Sequence, residues 1–552
     1  MDQNVVSSLV WVKRGFAKAN PIEFEMNEQD VNEMKKDPLV KKNANRELGK
    51  EIEDENEFED VDDDDEEENL PVFAQEIEML KNENMVDQDG NPLGFDEMSE
   101  EEKEDFQIKP NDALIVAAKI VINIFQAFFK VLVSYINPYQ QSKQEKEFSS
   151  LEVYVYEEDR NNLFVHHEIQ LSAFPLCLEW LRVDPSSFDA SVQKPGINIQ
   201  IDFFNKQIDR QISLLIVIDL NQLIILLTKK GNFAIVGSFL PEIEVWNLDV
   251  LNIIEPTFTL GGEVQQNSKK VKKFKKPKQQ LKPGSHADAV LSLNINPFRQ
   301  NVLASGSADN TVKIWDLGQQ KNIFTYTHHT NKVQVVSWNK QEESILLSGG
   351  YDRKICMFDV KNPQNILSCK IQSDIESAIW DPTNSNQIIF STEDGYVSCI
   401  DARKFNLDYL FHFQSHEKST TSVSMSPKVG GMLATTSIDH SVKIWDITQI
   451  TNKRPKLVSQ KNPSAGKLFC GSFYEDSPFV FGCGNSKGEI FIWDTTEDKN
   501  IVECFGSRVE AKYQPNISLC TKDGEKNYFT KEGRDEDDDE ADEMEQENED
   551  MV

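Results

Sequence analysis

The chain has 552 residues, of which 93 are acidic and 58 basic, for a formal net charge of −35. That length exceeds one small core, and the charge is concentrated instead of spread, so the composition is not globular throughout. The eight cysteines form no CxxC pair and no group with histidine, which argues against a disulfide framework and against a zinc site.

In chain order, the opening MDQNVVSSLVWVKRGF lacks the basic–apolar–small layout of a secretory leader. Together with the cysteine usage this points to a reducing compartment, cytosol or nucleus. Residues 1–104 read as a disordered acidic arm: 51–68 are acidic at 14 of 18 positions, too charged to offset ordering entropy by burying apolar surface. The start of that arm carries Trp11, Arg14 and Phe16, a pattern suited to a docking peptide whose indole fills a partner's pocket. Residues 506–552 read as a second disordered tail, acidic at 12 of 16 positions over 535–550. Such arms serve solubility, or electrostatic contact with basic ribosomal proteins or histones.

Between the arms, residues 105–505 are strand-rich and repeat one phrase: an apolar run, a Ser/Gly/Asp turn, an alternating run, then Trp-Asp. It is clearest as VLASGSADNTVKIWD (302–316) and MLATTSIDHSVKIWD (432–446). The closing residues Trp315, Phe358, Ile400, Trp445 and Trp493 lie 43, 42, 45 and 48 residues apart. A period of about 40–45 residues is that of WD40 propeller blades. Blade one takes strands at 112–119, 151–159 and 163–169, and blade two takes 174–180, 231–239 and 242–249. Five more blades begin near His286, His329, Asp374, His416 and Ala465. The expected fold is therefore all-β, a seven-bladed WD40 β-propeller with acidic arms. Either the 105–112 region or residues after 500 would supply the strand that closes the ring.

The turn residues recur too. Asp309, Asp352, Asp394 and Asp439 each lie six positions before a closing residue. The sets His286, Ser305, Asp309, Trp315 and His416, Thr435, Asp439, Trp445 are expected to form buried networks that pin the inner turns of a blade. Because they recur at blade spacing they read as architecture, not as a catalytic Ser/His/Asp site. Blades two and seven, with Leu240 and Lys487 at the Asp position, would be held by packing alone.

Three segments break the pattern. Residues 121–146 fall where a short hairpin belongs, and 196–230 fall within blade two. Both are rich in Ile, Asn, Leu, Phe, Lys and Gln, and the apolar runs they belong to carry polar residues: Lys119, Asn123, Gln126 and Lys130 within 113–136, and Asp219, Asn221 and Gln222 at the middle of the second. A central Asp or Lys costs about 2.5–3.5 kcal/mol on an insertion scale, so a membrane span is rejected. Translated, unspliced introns are the preferred explanation; otherwise the segments are extrusions from the side of the propeller. The third segment, SKKVKKFKKPKQQLK (268–282), places Lys269, Lys270, Lys272, Lys273, Lys275, Lys276, Lys278 and Lys282 on one long loop. Clustered Lys attracts phosphate by counterion release and also serves as a nuclear-import signal, or it neutralises the acidic arms within the chain.

WVKRGFA (11–17), DFQIKPNDALIVA (105–117), PEIEVWNLD (241–249), EPTFTLGG (255–262) and HADAVLSLNINPFRQNVLASGSADNTVKIWDL (286–317) together resemble the periodic tryptophan protein 1 family. The resemblance covers about 105–500 apart from the two interruptions. It implies a nucleolar, non-enzymatic scaffold without cofactor, attached to pre-ribosomal proteins and pre-rRNA of the large subunit during rRNA processing. A chromatin or histone-binding propeller and a substrate receptor for a ubiquitin ligase are the alternatives. An enzyme has least support, since no P-loop and no metal-spaced His/Cys group is present. If 121–146 and 196–230 are introns, sequenced mature transcripts lack both; transcripts that carry both would end that explanation.

Overall fold

The computed structural model describes residues 3–23, 107–122, 148–158, 160–188, 229–264, 280–464 and 466–509. The chain forms two units, one of Met1–Ala19, Ile108–Asp249 and Glu255–Val552, the other of Asn20–Gln107 and Val250–Ile254. With strands numbered in chain order, the second unit contains a parallel pair, β2 (Ile22–Glu23) with β9 (Val250–Leu251).

The first unit is a seven-bladed β-propeller. Blade one is β1 (Gln3–Val12), β3 (Ala113–Ile122), β4 (Phe148–Glu157) and β5 (Asn162–Leu171), in that order across the sheet. Blade two is β6 (Pro175–Val183), β7 (Lys230–Ser238), β8 (Glu242–Asn247) and β10 (Phe258–Gly261). Blade three is β11 (Val290–Ile295), β12 (Val302–Ser307), β13 (Val312–Asp316) and β14 (Lys321–Tyr326). Blade four is β15 (Val333–Trp338), β16 (Ile345–Gly350), β17 (Lys354–Asp359) and β18 (Asn362–Lys370). Blade five is β19 (Ile375–Trp380), β20 (Gln387–Thr392), β21 (Tyr396–Asp401) and β22 (Phe411–Gln414). Blade six is β23 (Thr420–Met425), β24 (Met432–Ser437), β25 (Val442–Thr451) and β26 (Arg454–Lys461). Blade seven has three strands among the described residues, β27 (Leu468–Phe473), β28 (Val480–Asn485) and β29 (Ile490–Asp494), followed by a short helix, Lys499–Phe505.

The first strand of each sheet touches the first strand of the next, and β27 touches β1, so the ring is complete. Within a blade the second strand is the most enclosed: ILLSGG of β16 and VLASGS of β12 are buried at five of six positions. Both faces of such a strand meet a neighbouring blade, which is why it reads as a run of apolar and small residues instead of an alternation. The outermost strand faces water on its free side, as the mostly exposed KNIFTY of β14 shows.

The N-terminal residues do not behave as an arm. β1 pairs with β3 along its length, from Gln3 opposite Ile122 to Val12 opposite Leu114, and its other side lies on blade seven. This overturns two expectations, the unstructured start of the 1–104 arm and the choice of 105–112 or the residues after 500 as the closing strand. Trp11 is 8% exposed, stacks on Tyr474 at 4.6 Å between ring centroids and donates its indole N–H to the Ser472 carbonyl at 3.1 Å. It fills a pocket of its own chain, so it is a closure residue and not an available docking peptide. Glycines in β28 make room for it: a Cβ at Gly482 would lie 3.0 Å from the Trp11 ring, and one at Gly484 would run into Val6. Beyond the strand, Arg14 pairs with Glu158 of blade one, lies over the Tyr474 ring at 5.5 Å, and its backbone N–H donates to Asp476 at 2.8 Å. Phe16 packs edge-on against Trp180, 5.1 Å between centroids.

The acidic blocks 51–68 and 535–550, most of 121–146, 196–228 and Lys269–Lys278 lie outside the described residues; Lys230, which ends the second interruption, already belongs to β7. Among the described residues no helix is long and apolar enough to cross a membrane.

Emptying the closure pocket is expected to cost what a buried aromatic normally costs, about 3–5 kcal/mol for Trp11→Ala. Denaturant unfolding of the full chain measures it, and a midpoint equal to that of the parent would refute the closure role.

Candidate functional site

Adjacent strands in every blade are antiparallel, so the second strands end and the third strands begin on one rim of the propeller. The connections from each blade to the next open on that same rim. The first-to-second and third-to-fourth connections open on the opposite rim. Candidate functional features therefore sort by rim.

On the first rim, blade three brings His286, Ser305, Asp309 and Trp315 together. His286 Nδ1 lies 2.9 Å from Asp309 Oδ2, His286 Nε2 lies 2.7 Å from Ser305 Oγ, and the Trp315 indole N–H donates to the same oxygen at 2.8 Å. Blade six repeats it: His416 Nδ1 to Asp439 at 2.9 Å, His416 Nε2 to Thr435 Oγ1 at 2.8 Å, and Trp445 N–H to Thr435 Oγ1 at 3.0 Å. The backbone N–H groups of Ala287 and Thr311 also donate to Asp309, which is why an acidic residue sits at this turn. The residue after each Asp adopts a left-handed backbone, Asn310 at φ 66° and His440 at φ 73°.

The order Asp–His–Ser resembles a hydrolase triad, but the hydroxyl cannot attack anything. Ser305 and Thr435 are fully buried and each oxygen is capped by an indole N–H. Charge distribution agrees with this static role. Burial favours neutral His286 and His416, outweighing the Asp hydrogen bonds that act the other way. Burial would raise Asp309 and Asp439, but the histidine and hydroxyl hydrogen bonds hold both well below the usual carboxylate range.

Blade four contains a third set that the repeat pattern had only half exposed. Asp352 accepts from His329 Nδ1 at 3.1 Å, and His329 Nε2 lies 2.8 Å from Ser348 Oγ, with Phe358 standing where the other sets have Trp. Against the effect of burial, the His329 hydrogen bond and backbone donors bring Asp352 down to about 2. The signal that would have found it is the separation of 23 residues between His and Asp, shared by all three sets. Asp394 is not brought into such a set. Ile371 occupies the position 23 residues earlier, and Asp394 instead accepts from the Thr392 hydroxyl. Trp493 is buried in the core beside Phe481 and Phe491, with the Lys461 ammonium 5.3 Å from its ring. Blades two and seven are not held by packing alone. Ser238 accepts from the Leu240 N–H at 3.1 Å, and Asn485 accepts from Lys487 N–H at 2.7 Å and Glu489 N–H at 3.2 Å.

The same rim carries the base of the Lys-rich loop. Val264 N–H donates to the Gln280 carbonyl and Lys282 N–H to the Gly262 carbonyl, both at 2.8 Å, which with the Glu263–Leu281 bridge makes a two-stranded stem. Lys282 is exposed at its foot. Beside the stem, Ser285 bonds both Gly262 N–H and the Pro241 carbonyl, tying it to the turn of blade two. That turn presents Phe239, 58% exposed, and Leu240 at 36%, with Phe174 packed edge-on against Phe239. An exposed aromatic where blades three to seven carry a turn with Asp or Lys was not singled out by the sequence, because FL-P reads as ordinary blade content.

The opposite rim carries the described residues that flank the acidic segments in sequence. Ala19 and Ile108, which bracket residues 20–107, meet through an Ile108 N–H to Ala19 carbonyl bond of 3.0 Å, and the C-terminal residues leave after β29 on this rim. A cleft of about 330 Å³ at the ring seam is lined mainly by charged residues, Arg14, Lys109, Arg160, Asp112, Glu157 and Glu158, and is ill suited to an apolar small molecule.

The WD domain, G-beta repeat family matches residues 275–316, 320–359 and 407–446. The chain is 30% identical, over 92% of both chains, to an uncharacterized WD repeat-containing protein of Schizosaccharomyces pombe. It is 27% identical to Periodic tryptophan protein 1 of Saccharomyces cerevisiae, over 92% of this chain and 90% of that one. It belongs to the periodic tryptophan protein 1 family. A homolog of that name in Drosophila melanogaster is 25% identical over 71% of this chain and 69% of its own. WD40 propellers of this family type are characteristically scaffolds, in keeping with capped hydroxyls on its first rim.

The networks set a pH dependence. His286 and His416 are lowered from 6.5 in the fold, so the unfolded chain binds protons first, and their contribution is complete above about pH 6.5 and declines below it. Lys313 and Lys443, which face them, push the same way, whereas Glu179 and Glu376, raised by burial to about 7, act in the opposite sense. A difference measurement isolates the histidine: the gap in melting temperature between parent and His416→Gln is expected to narrow from pH 7 to pH 5. A gap that widens over that range would contradict the neutral, network-held histidine.

Proposed function

We propose that this protein is a nucleolar scaffold acting on large-subunit ribosome precursors, with pre-rRNA engaged at the first rim and basic pre-ribosomal proteins at the opposite one. The observation that carries this reading is the pairing, on one rim, of exposed Phe239 with the stem of the Lys-rich loop. A stacking ring beside clustered Lys is the combination that holds a single strand: the ring takes a base face and the ammonium groups take phosphates. Lys269–Lys278, together with Lys282, supply the phosphate-binding charge and the nuclear-import signal. The described residues that flank the acidic arms, Ala19, Ile108 and those after β29, lie at the other rim, which favours contact with basic ribosomal proteins over neutralisation of the loop. The network residues work as architecture, and the reading requires neither a cofactor nor a chemical step. Membership of the periodic tryptophan protein 1 family supports it.

The acidic arms also suit histones, which makes a nuclear chromatin scaffold the second reading. Sedimentation separates the two: the protein is expected to travel with large-subunit precursors and to be partly released by RNase. Co-sedimentation with nucleosomes, indifferent to RNase, would favour the second. At the residue level, exchanging the eight Lys for Gln is expected to lower RNA affinity and to flatten its salt dependence, by about 0.7 in the logarithmic slope for each phosphate no longer neutralised. Phe239→Ala is expected to weaken RNA binding without changing that slope, with both variants melting as the parent does. Unchanged RNA affinity in both would remove the first rim from the proposal.

A further inference from the structure

The three His-containing blades are internal copies of one another, so a place where one departs from the other two is informative. Counting from the turn Asp, blades three and six place Lys four residues later (Lys313, Lys443), Trp six residues later (Trp315, Trp445), and Ser immediately before the His (Ser285, Ser415). Blade four replaces all three: Cys356 for Lys, Phe358 for Trp, His328 for Ser. These positions are far apart in sequence but converge in space. Cys356 lies directly opposite Ser348 across the β16–β17 pair, and His328 Nε2 reaches Ser348 Oγ at 3.0 Å. The His328 ring stands edge-on to Phe358 at 4.9 Å and 4.5 Å from the His329 ring.

The result is an oversupply of ring nitrogens around one hydroxyl. His329 Nδ1 faces the Asp352 carboxylate and so carries the proton, which leaves its Nε2 as a lone pair accepting from Ser348. If His328 Nε2 carries its proton and donates to Ser348, then His328 Nδ1 is a buried lone pair. If instead Nδ1 carries the proton, two lone pairs compete for one hydroxyl hydrogen. In either case His328 Nδ1 has no hydrogen-bond partner among the described residues. One ligand atom from each of His328, His329 and Cys356 lies within 4.8 Å of the others. In blades three and six the corresponding Lys would repel a cation; here a thiol takes that place, and the nearest ammonium, Lys354, lies 3.7 Å from the Asp352 carboxylate that offsets its charge.

We propose that blade four binds a thiophilic d10 metal ion, Zn(II) or Cu(I), through His328, His329 and Cys356. A tetrahedral ion with metal–nitrogen bonds of about 2.0–2.1 Å and a metal–sulfur bond of about 2.3 Å sets its ligands about 3.3–3.6 Å apart. The three side chains therefore close by about an ångström on binding. Asp352 is already in place behind His329, as the carboxylate that orients a metal-bound imidazole usually is. Ser348 Oγ or water completes the shell. Cys356 gives up its thiol proton to buffer as the bond to sulfur forms. Half-buried His328 is the point of entry, the other two ligands being buried. The cysteine and histidine spacing along the chain carried no hint of this, because the ligands come from a loop and a strand of one blade.

The test uses the full chain, stripped with a chelator and titrated with Co(II), then with Zn(II) in competition, and separately with Cu(I) under anaerobic conditions. The expected result is one ion per chain with a thiolate-to-cobalt charge-transfer band that Zn(II) abolishes, or saturable binding in the Cu(I) arm alone if the site is trigonal. Cys356→Ser is expected to lose the band and to weaken binding by more than about 100-fold, since even an outer-partner change costs about 10–100-fold. Carboxylates of the acidic arms give no thiolate band, so they do not mimic the result. A second variant guards against misfolding: His328→Ser, Cys356→Lys and Phe358→Trp together restore the pattern of blades three and six. It is expected to melt at or above the metal-free parent and to lose the site. No thiolate band and no Cu(I) binding in the parent, or a band unchanged in Cys356→Ser, would overturn the proposal and leave His328 as a stand-in donor for the missing indole.

Discussion

Each blade of this propeller has two apolar faces, and each face is covered only by the neighbouring blade. The ring is stable as a whole because the first and last sheets meet, and that meeting is made by ten residues at the start of the chain. Were β1 absent, blade one would lose its innermost strand, and the Tyr474 and Val480 side of the core would face water. The cost would exceed that of any single side chain, since apolar area would be uncovered on both sheets at once. Trp11, the Gly482–Gly484 clearance and the Arg14–Glu158 pair all serve that seam.

Against this shared dependence, the hydrogen-bonded networks are local. Blades three and six carry complete sets, blade four a modified one, and blades one, two, five and seven use other means. A satisfied buried network adds rigidity at the rim, but a blade without one still stacks, as blade five does with Ile388, Phe390 and Ile400 in its core. The same tolerance lets individual blades diverge. The turn of blade two has an exposed phenylalanine and no Asp, while blade four has two adjacent imidazoles and a thiol and neither the Lys nor the indole of blades three and six. Function in a repeat protein is written in such departures from the repeat.

That contrast also explains what was legible in the sequence. Strands of blades three to seven follow from the repeat spacing, and the Asp–His sets of blades three and six follow from residue type at fixed offset. Both are local signals. The closing strand was not legible, because VVSSLVWV is separated from its partner β3 by an acidic stretch and from Tyr474 by most of the chain. A tryptophan in that setting looks like a peptide awaiting a partner, and its partner is the far end of its own chain. The His329 set was obscured by Phe358, and Asp394 looked equivalent until Ile371 was seen to occupy the histidine's place. The exposure of Phe239 depends on what surrounds a turn in three dimensions, which no short window records.

The position of the closing strand also bears on how the protein is made. β1 leaves the translating ribosome before every other described strand, while the surface that receives Trp11 is finished only when β29 emerges. At 5–20 residues per second that interval is roughly 25–100 s. During that time one side of an apolar strand has no native cover. Closure of the ring therefore comes last in synthesis, although one of the two strands that make it is among the earliest to emerge.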